Sequence, residues 1–201
     1  MQEAIQHLRG SDPILSGIID RVGDYAIQFR EPNFETLVRS IIYQQLSGRV
    51  ASVIFGRVAA AVGGRITPEA ILKLRPARMR SLGLSAQKTA YIRDLARHAR
   101  DRRVIFEELP ELPDGDVIER LTQVKGIGVW TVHMFLIFAL RRPDILPTGD
   151  LGIRNAIRRA YGLEAHPTPA EMQSMAARWR PYCSVASWYL WRSLETDANL
   201  L

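Results

Sequence analysis

Apolar residues recur along this chain at spacings of three and four, the period of an amphipathic helix, and hardly anywhere at the spacing of two that marks a half-buried strand. Ile14, Leu15, Ile18, Ile19 and Val22 form one such stripe. It opens with Ser11-Asp12-Pro13, a cap residue followed by proline at the first helical position, and Gly23 stops it. Pro32 opens a second stripe carrying Phe34, Leu37, Val38, Ile41 and Ile42, and a third helix is predicted from about Gly48 to Val62, ahead of Gly63-Gly64. Thr67-Pro68-Glu69 repeats the cap-then-proline start for a short helix. After the break at Leu82-Gly83-Leu84, Ser85 can cap a long helix with Ala90, Ile92, Leu95 and Ala96 on one side and arginines on the other. Asp114 can cap the helix that leads into a Gly-X-Gly turn. An arginine-rich helix follows Asp150 and is closed by Gly162, and Thr168-Pro169-Ala170-Glu171 forms a capping-box start for the next. The pattern predicts roughly ten helices and an all-α architecture.

Composition narrows what such a fold can be for. Over 201 residues, 47% hydrophobic content is enough for a proper core, in one domain or two small lobes. A net charge of +6 favours a polyanionic partner. Arginine carries nearly all of the positive charge, since Lys73, Lys88 and Lys125 are the only lysines, and its planar fork suits bidentate phosphate contacts. The single cysteine, Cys183, excludes an internal disulfide framework, a four-cysteine zinc site and a cysteine-ligated iron–sulfur cluster. The N-terminus lacks the apolar core of a signal peptide, and no run reaches the roughly 18 apolar residues that span a bilayer. The longest, Ile127 to Leu140, is broken by Thr131 and His133 and reads as a buried helix. No membrane association and no secretion are expected.

The segment from Leu121 to Ile157 concentrates the candidate chemistry. In Val124-Lys125-Gly126-Ile127-Gly128, two glycines let the backbone turn sharply and approach another surface, with no Cβ to obstruct a phosphate. The helix that follows directs its N-terminal amides and positive dipole end over the turn, which favours an anion. Two glycines between helices also make a plain αα turn, and an aspartate ahead of an amphipathic helix, as Asp150 is, also makes a plain N-cap.

This hairpin, the Pro147-Thr148-Gly149 lead-in to Asp150, the element Tyr43-Gln44-Gln45-Leu46-Ser47 and the segment Ser81 to Ala96 together resemble the helix-hairpin-helix DNA glycosylases. The likeness is greatest to their alkyladenine branch, the 3-methyladenine DNA glycosylase II type, and runs through most of the chain. The resemblance implies a two-lobed helical glycosylase core, with one lobe at about residues 35–140 and the other from 1–34 plus 141–201, flanking an active-site cleft. Larger bacterial members carry a β-rich N-terminal domain, which is not expected here.

Under that resemblance Asp150 is the catalytic carboxylate, stabilising the oxocarbenium character that the deoxyribose gains as an N-glycosidic bond breaks. Trp130, Met134 and Tyr182 are the base pocket; Met134 stands where some relatives have an aromatic. Trp179, Trp188 and Trp191 are read as packing. Gln44 or Gln45 would fill the gap left by a flipped nucleotide, while Lys125, Gly126 and Gly128 would meet a phosphate. Bifunctional glycosylase/lyases carry a Schiff-base lysine two residues beyond the second hairpin glycine; Trp130 occupies that position, so a monofunctional enzyme is implied. Cys183 replaces a commonly basic residue, which puts one phosphate or pocket contact in doubt.

No cofactor is required and no iron–sulfur cluster is expected, although the family often holds Na+ or K+ on hairpin carbonyls, here those of Thr122, Val124 and Ile127. The expected partner is double-stranded DNA containing alkylated bases such as 3-methyladenine and 7-methylguanine, bound by a monomer in the cytoplasm or nucleoid of a bacterium or the nucleus of a eukaryote. Three other readings remain open: a noncatalytic DNA-binding module, a glycosylase for mismatched or oxidised bases, and a helical protein–protein module with fortuitous charge.

Overall fold

A computed structural model describes residues 1–198 of the chain, with side chains to residue 195. Among the described residues there are twelve α-helices, two single 3-10 turns and no strand. In order they are α1 (Gln2–Ser11), α2 (Pro13–Val22), α3 (Phe34–Tyr43), α4 (Gly48–Ala61), α5 (Pro68–Lys73), α6 (Pro76–Ser81) and α7 (Ala86–Arg100), then α8 (Asp114–Thr122), α9 (Val129–Phe138), α10 (Leu151–Ala160), α11 (Pro169–Ala176) and α12 (Cys183–Ala198). The all-α expectation holds. No described helix is long and apolar enough to cross a membrane.

The local start signals act as read at most helices. Asp12, Ser47, Thr67, Ser85, Asp150 and Thr168 each accept a hydrogen bond from a first-turn amide, and Thr168 with Glu171 forms the full capping box. Four details differ. Helix α1 has no apolar stripe to betray it, because only Ala4 and Leu8 are buried, and α6 is too short for a period, with Met79 its one buried residue. The cap of α3 is Asn33, whose side chain accepts from the amide of Thr36, and Pro32 lies outside. Pro113 occupies the cap position of α8, so Asp114 sits inside the first turn and acts on the helix dipole instead.

The chain divides into two compact units, Met1–Phe29 with Leu136–Leu201, and Arg30–Phe135. In the first, α2 and α10 pack on α12, burying Leu15, Ile18, Ile19, Ile153, Ile157, Tyr189 and Leu190. In the second, α7 is the central element, covered by α3, α5 and α6, with Leu37, Ile41, Ile71, Ile92 and Leu95 buried among them.

One polar residue anchors the first unit. Asp12 is only 1% exposed, yet both its carboxylate oxygens are used. Oδ1 accepts from the amides of Ile14 and Leu15, at 3.0 and 3.1 Å, and Oδ2 accepts from the Tyr161 hydroxyl and, at 2.8 Å, from the Trp179 indole. Burial alone would raise its pKa, but these four donors together outweigh that and hold it below the usual carboxylate value. The same burial, with the Asp12 charge, pushes the Tyr161 phenol upward.

Asp12→Ala should therefore cost about 3–5 kcal/mol in urea unfolding, from one lost cap and two stranded buried donors. The folded pKa is depressed, so the wild-type contribution is complete above the unfolded value of about 3.9 and is lost as the pH falls through the folded one. The variant should lack that part of the acid limb in a stability-against-pH curve.

Candidate active site

Asp150 is the N-cap of α10, in extended backbone at φ −79 and ψ 122. Its Oδ1 accepts from the amide of Ile153 at 2.8 Å. The indole Nε1 of Trp191, forty-one residues on in α12, donates to the same oxygen at 2.8 Å. That indole lies against the Phe138 ring, with centroids 5.8 Å apart and planes 28° from parallel. A Cβ added to Gly152 would stand 3.0 Å from Oδ1, and 3.1 and 3.3 Å from indole atoms Cδ1 and Nε1 of Trp191. Gly152 is helical, so it is space and not backbone conformation that calls for glycine there. Asp150 as a residue is 9% exposed, and its carboxylate is held by these two donors at the start of α10.

The segment before Asp150 is pinned from the start of α12. Ser184 donates from Oγ to the Arg142 carbonyl at 2.6 Å and accepts from the Ile145 amide at 3.0 Å, and its own amide donates to the Pro143 carbonyl at 2.9 Å. Asp144 accepts from the Cys183 amide at 3.3 Å and pairs with Arg180 at 2.6 Å. Cys183 itself is fully buried, and burial followed by the Asp144 carboxylate pushes its thiol well above the usual range. Its side chain is therefore core rather than a surface contact.

The hairpin lies in the second unit, between α8 and α9. Gly126 has φ +82, in the left-handed region, and a Cβ there would stand 2.0 Å from Cδ2 of Tyr91. The bare face of Gly126 is thus filled by a tyrosine ring of α7, and it is this close approach that calls for glycine there. Gly128 has nothing within 4 Å of its missing side chain and is exposed, so its face is open to an approaching ligand. Lys125 is exposed, and its backbone amide donates to Oδ2 of Asp94 at 3.0 Å. The Val124 carbonyl accepts from the Ile127 amide at 3.1 Å and closes the turn, while Thr122 caps its own helix by donating from Oγ1 to the Ile118 carbonyl.

The two glutamines separate clearly. Gln44 donates from Nε2 to the Gly126 carbonyl at 2.9 Å and is committed to the hairpin. Gln45 is exposed, in the left-handed region at φ +58, a conformation a non-glycine residue adopts only when its surroundings impose it. Beside it Leu46 is 38% exposed. Trp130, 44% exposed, and half-buried Met134 stand one turn apart on α9 in this unit. Tyr182 belongs to the other unit, half-buried, with its ring edge-on to His7 at 5.4 Å.

Sequence reasoning missed Trp191, which it read as packing, and Gly152. A glycine inside an amphipathic helix costs about 1 kcal/mol against alanine, and that local penalty was the available signal of a close approach.

The family model for HhH-GPD superfamily base excision DNA repair proteins matches residues 38–181. The chain belongs to this superfamily. Among HhH-GPD relatives, DNA-3-methyladenine glycosylase 1 of Schizosaccharomyces pombe is 36% identical over 194 residues, covering 93% of this chain and 85% of the relative. The solved structure of a 3-methyladenine DNA glycosylase from Schizosaccharomyces pombe, in complex with abasic DNA, superposes with a TM-score of 0.83 at 36% identity, over 94% of this chain and 95% of that one. A DNA-3-methyladenine glycosidase from Bacillus halodurans gives a TM-score of 0.87 at 35% identity, over 98% and 91%.

Gly152→Ala tests the crowding around Asp150 without reference to activity. Helix propensity alone would stabilise the protein by about 1 kcal/mol. The 3.0 and 3.1 Å contacts with Asp150 and Trp191 should reverse that sign in urea unfolding. A gain of the full propensity difference would show that the site has room to spare.

Proposed function

We propose that this protein is a monofunctional DNA glycosylase of base excision repair. It extrudes alkylated purines such as 3-methyladenine and 7-methylguanine from duplex DNA and hydrolyses their N-glycosidic bond. Membership of the HhH-GPD superfamily supports the reaction class, and the observation that carries the assignment of its charged centre is the carboxylate of Asp150 held by an amide and an indole on one oxygen.

The chemistry follows from that charge. As the bond to the base lengthens, positive charge spreads over the deoxyribose ring, and a carboxylate about 4 Å away contributes roughly 4 kcal/mol at an effective dielectric near 20. That is about three decades of rate. A methylated purine leaves already cationic, so it needs little acid catalysis, and the field of one aspartate goes a long way. Stacking a cationic base on aromatic faces adds about 0.5–2 kcal/mol of selectivity; Trp130 and Tyr182 are the aromatic residues for this role, with Met134 a softer wall.

Because Trp130 stands where a lyase would carry its lysine, no Schiff base forms on this chain. Extruding a base costs a few kcal/mol, which the protein recovers in part by filling the vacancy. Gln45, forced outward by its backbone, is the residue for that role, with Leu46 as an apolar edge beside it. Lys125 and the open face at Gly128 receive a backbone phosphate. A Na+ or K+ ion on the carbonyls of Thr122, Val124 and Ile127 fits the same hairpin, since a carbonyl that accepts one hydrogen bond, as that of Val124 does, keeps a second lone pair. The protein acts as a monomer wherever the cell houses its chromosomal DNA.

Incubation with methylated duplex DNA and chromatography of the released bases tests the proposal. Wild type should release methylated purines and leave abasic DNA, and borohydride should trap no covalent complex. Asp150→Asn should lower release by about three decades or more, the scale of the lost charge, with duplex affinity retained. Trp191→Phe keeps the ring against Phe138 but removes the N–H donor, and should lower the rate by about ten- to a hundredfold, as one lost hydrogen bond to a charged group implies. Salt-sensitive duplex binding without any base release would instead identify a noncatalytic damage-binding module.

A further inference from the structure

Helix α7 makes three contacts that tie together segments about forty and eighty residues apart. Lys88 lies in its first turn, and its ammonium donates to the carbonyls of Ile42 at 2.7 Å and Gln44 at 2.6 Å, where the chain leaves the C-terminus of α3. A cation there answers both the orphan carbonyls and the negative end of the helix dipole. Lys88 is half-buried, and desolvation lowers its pKa from the usual lysine value. Tyr91, three residues on, lies against the bare Gly126 of the hairpin. Asp94, three further, is 7% exposed and accepts from the Lys125 amide at 3.0 Å, with Arg97 at 3.2 Å and the His98 ring at 3.5 Å on the same carboxylate. The Gln44 side chain closes the circuit by donating to the Gly126 carbonyl.

Each contact is to main chain or to a glycine face. The arrangement therefore fixes where two backbone segments run relative to each other, whatever side chains they carry outward. Three residues spaced by three lie along one stripe of the helix, so a single rigid rod sets both positions.

We propose that Lys88, Tyr91 and Asp94 are positioning residues that hold the Gln45 loop and the phosphate-binding hairpin at a fixed separation, so that seating a phosphate on the hairpin brings Gln45 to the vacated position in the stack. The inference rests on the reading of Gln45 as the gap-filling residue. Its physical benefit is preorganisation: two loops that must act at one moment are ordered before DNA arrives, and binding does not have to order them.

The test compares the affinity of the full chain for two duplexes of one sequence, one intact and one carrying a tetrahydrofuran abasic analogue, in which extrusion costs nothing and the gap is ready to be filled. Wild type should prefer the abasic duplex, and Gln45→Ala should lose that preference. Lys88→Met should lose about tenfold of it, as expected when a preorganised loop is freed, while affinity for intact duplex changes less than about twofold. Lys88→Arg, which can still donate to both carbonyls, should restore it, and Asp94→Asn should act as Lys88→Met does.

If Lys88→Met and Asp94→Asn keep the preference while Gln45→Ala loses it, the gap reading stands and the positioning role is wrong. Affinity for both duplexes falling together in the Lys88 and Asp94 variants would reduce these residues to general fold supports and also overturn the role. Should Gln45→Ala keep the preference, the gap reading itself fails, and the brace falls with it.

Discussion

An α-helix leaves its first four amides and last four carbonyls without partners inside the helix. A chain built from helices must satisfy those groups with side chains, with other segments or with a ligand. In this protein three of the parts argued to serve DNA recognition and chemistry lie at such ends. Asp150 takes the N-terminus of α10, Lys88 the C-terminus of α3, and the hairpin joins the last turn of α8 to the first of α9. The chemistry is not added to a finished scaffold; it is what the scaffold's unsatisfied groups are used for.

Two aspartates of the first compact unit show how the same local device serves different ends. Asp12 and Asp150 are both N-caps and both accept an indole N–H at 2.8 Å, from Trp179 and Trp191. Asp12 divides four donors between its two oxygens and is almost sealed, so its charge is spent on holding α2, Tyr161 and Trp179 together. At Asp150 the amide and the indole both meet Oδ1, at a helix start that carries the exposed Leu151 beside it. Exposure sets the two apart: Asp12 is 1% exposed, whereas Asp150, at 9%, begins a helix whose first residue, Leu151, is open to solvent.

What could be read from the sequence was whatever is decided within a few residues. The caps at Thr67, Ser85 and Thr168 and the stop at Gly23 are local chemistry, and they appear in the fold as read. Asp150 was legible for the same reason. Asn33 was hidden by the more conspicuous proline ahead of it, and α1 by its two buried residues. Contacts made across long stretches of chain left no periodic trace: Trp191 meets Asp150 from α12, Tyr91 covers Gly126 from α7, and Lys88 reaches back to α3. Trp191 reads as ordinary packing and nothing singles out Tyr91 or Lys88, because pattern says which side of a helix is apolar and nothing about which loop that side will meet.

Cys183, the chain's one cysteine, is fully buried at the start of α12, with its thiol held in the protonated form by burial and by the neighbouring Asp144. The thiolate is the reactive form of cysteine toward electrophiles. The same small methylating agents that create alkylated purines attack thiolates readily, and this protein offers them none. A protein of a base excision DNA repair superfamily thus keeps its one thiol buried and protonated, away from the electrophiles that damage DNA.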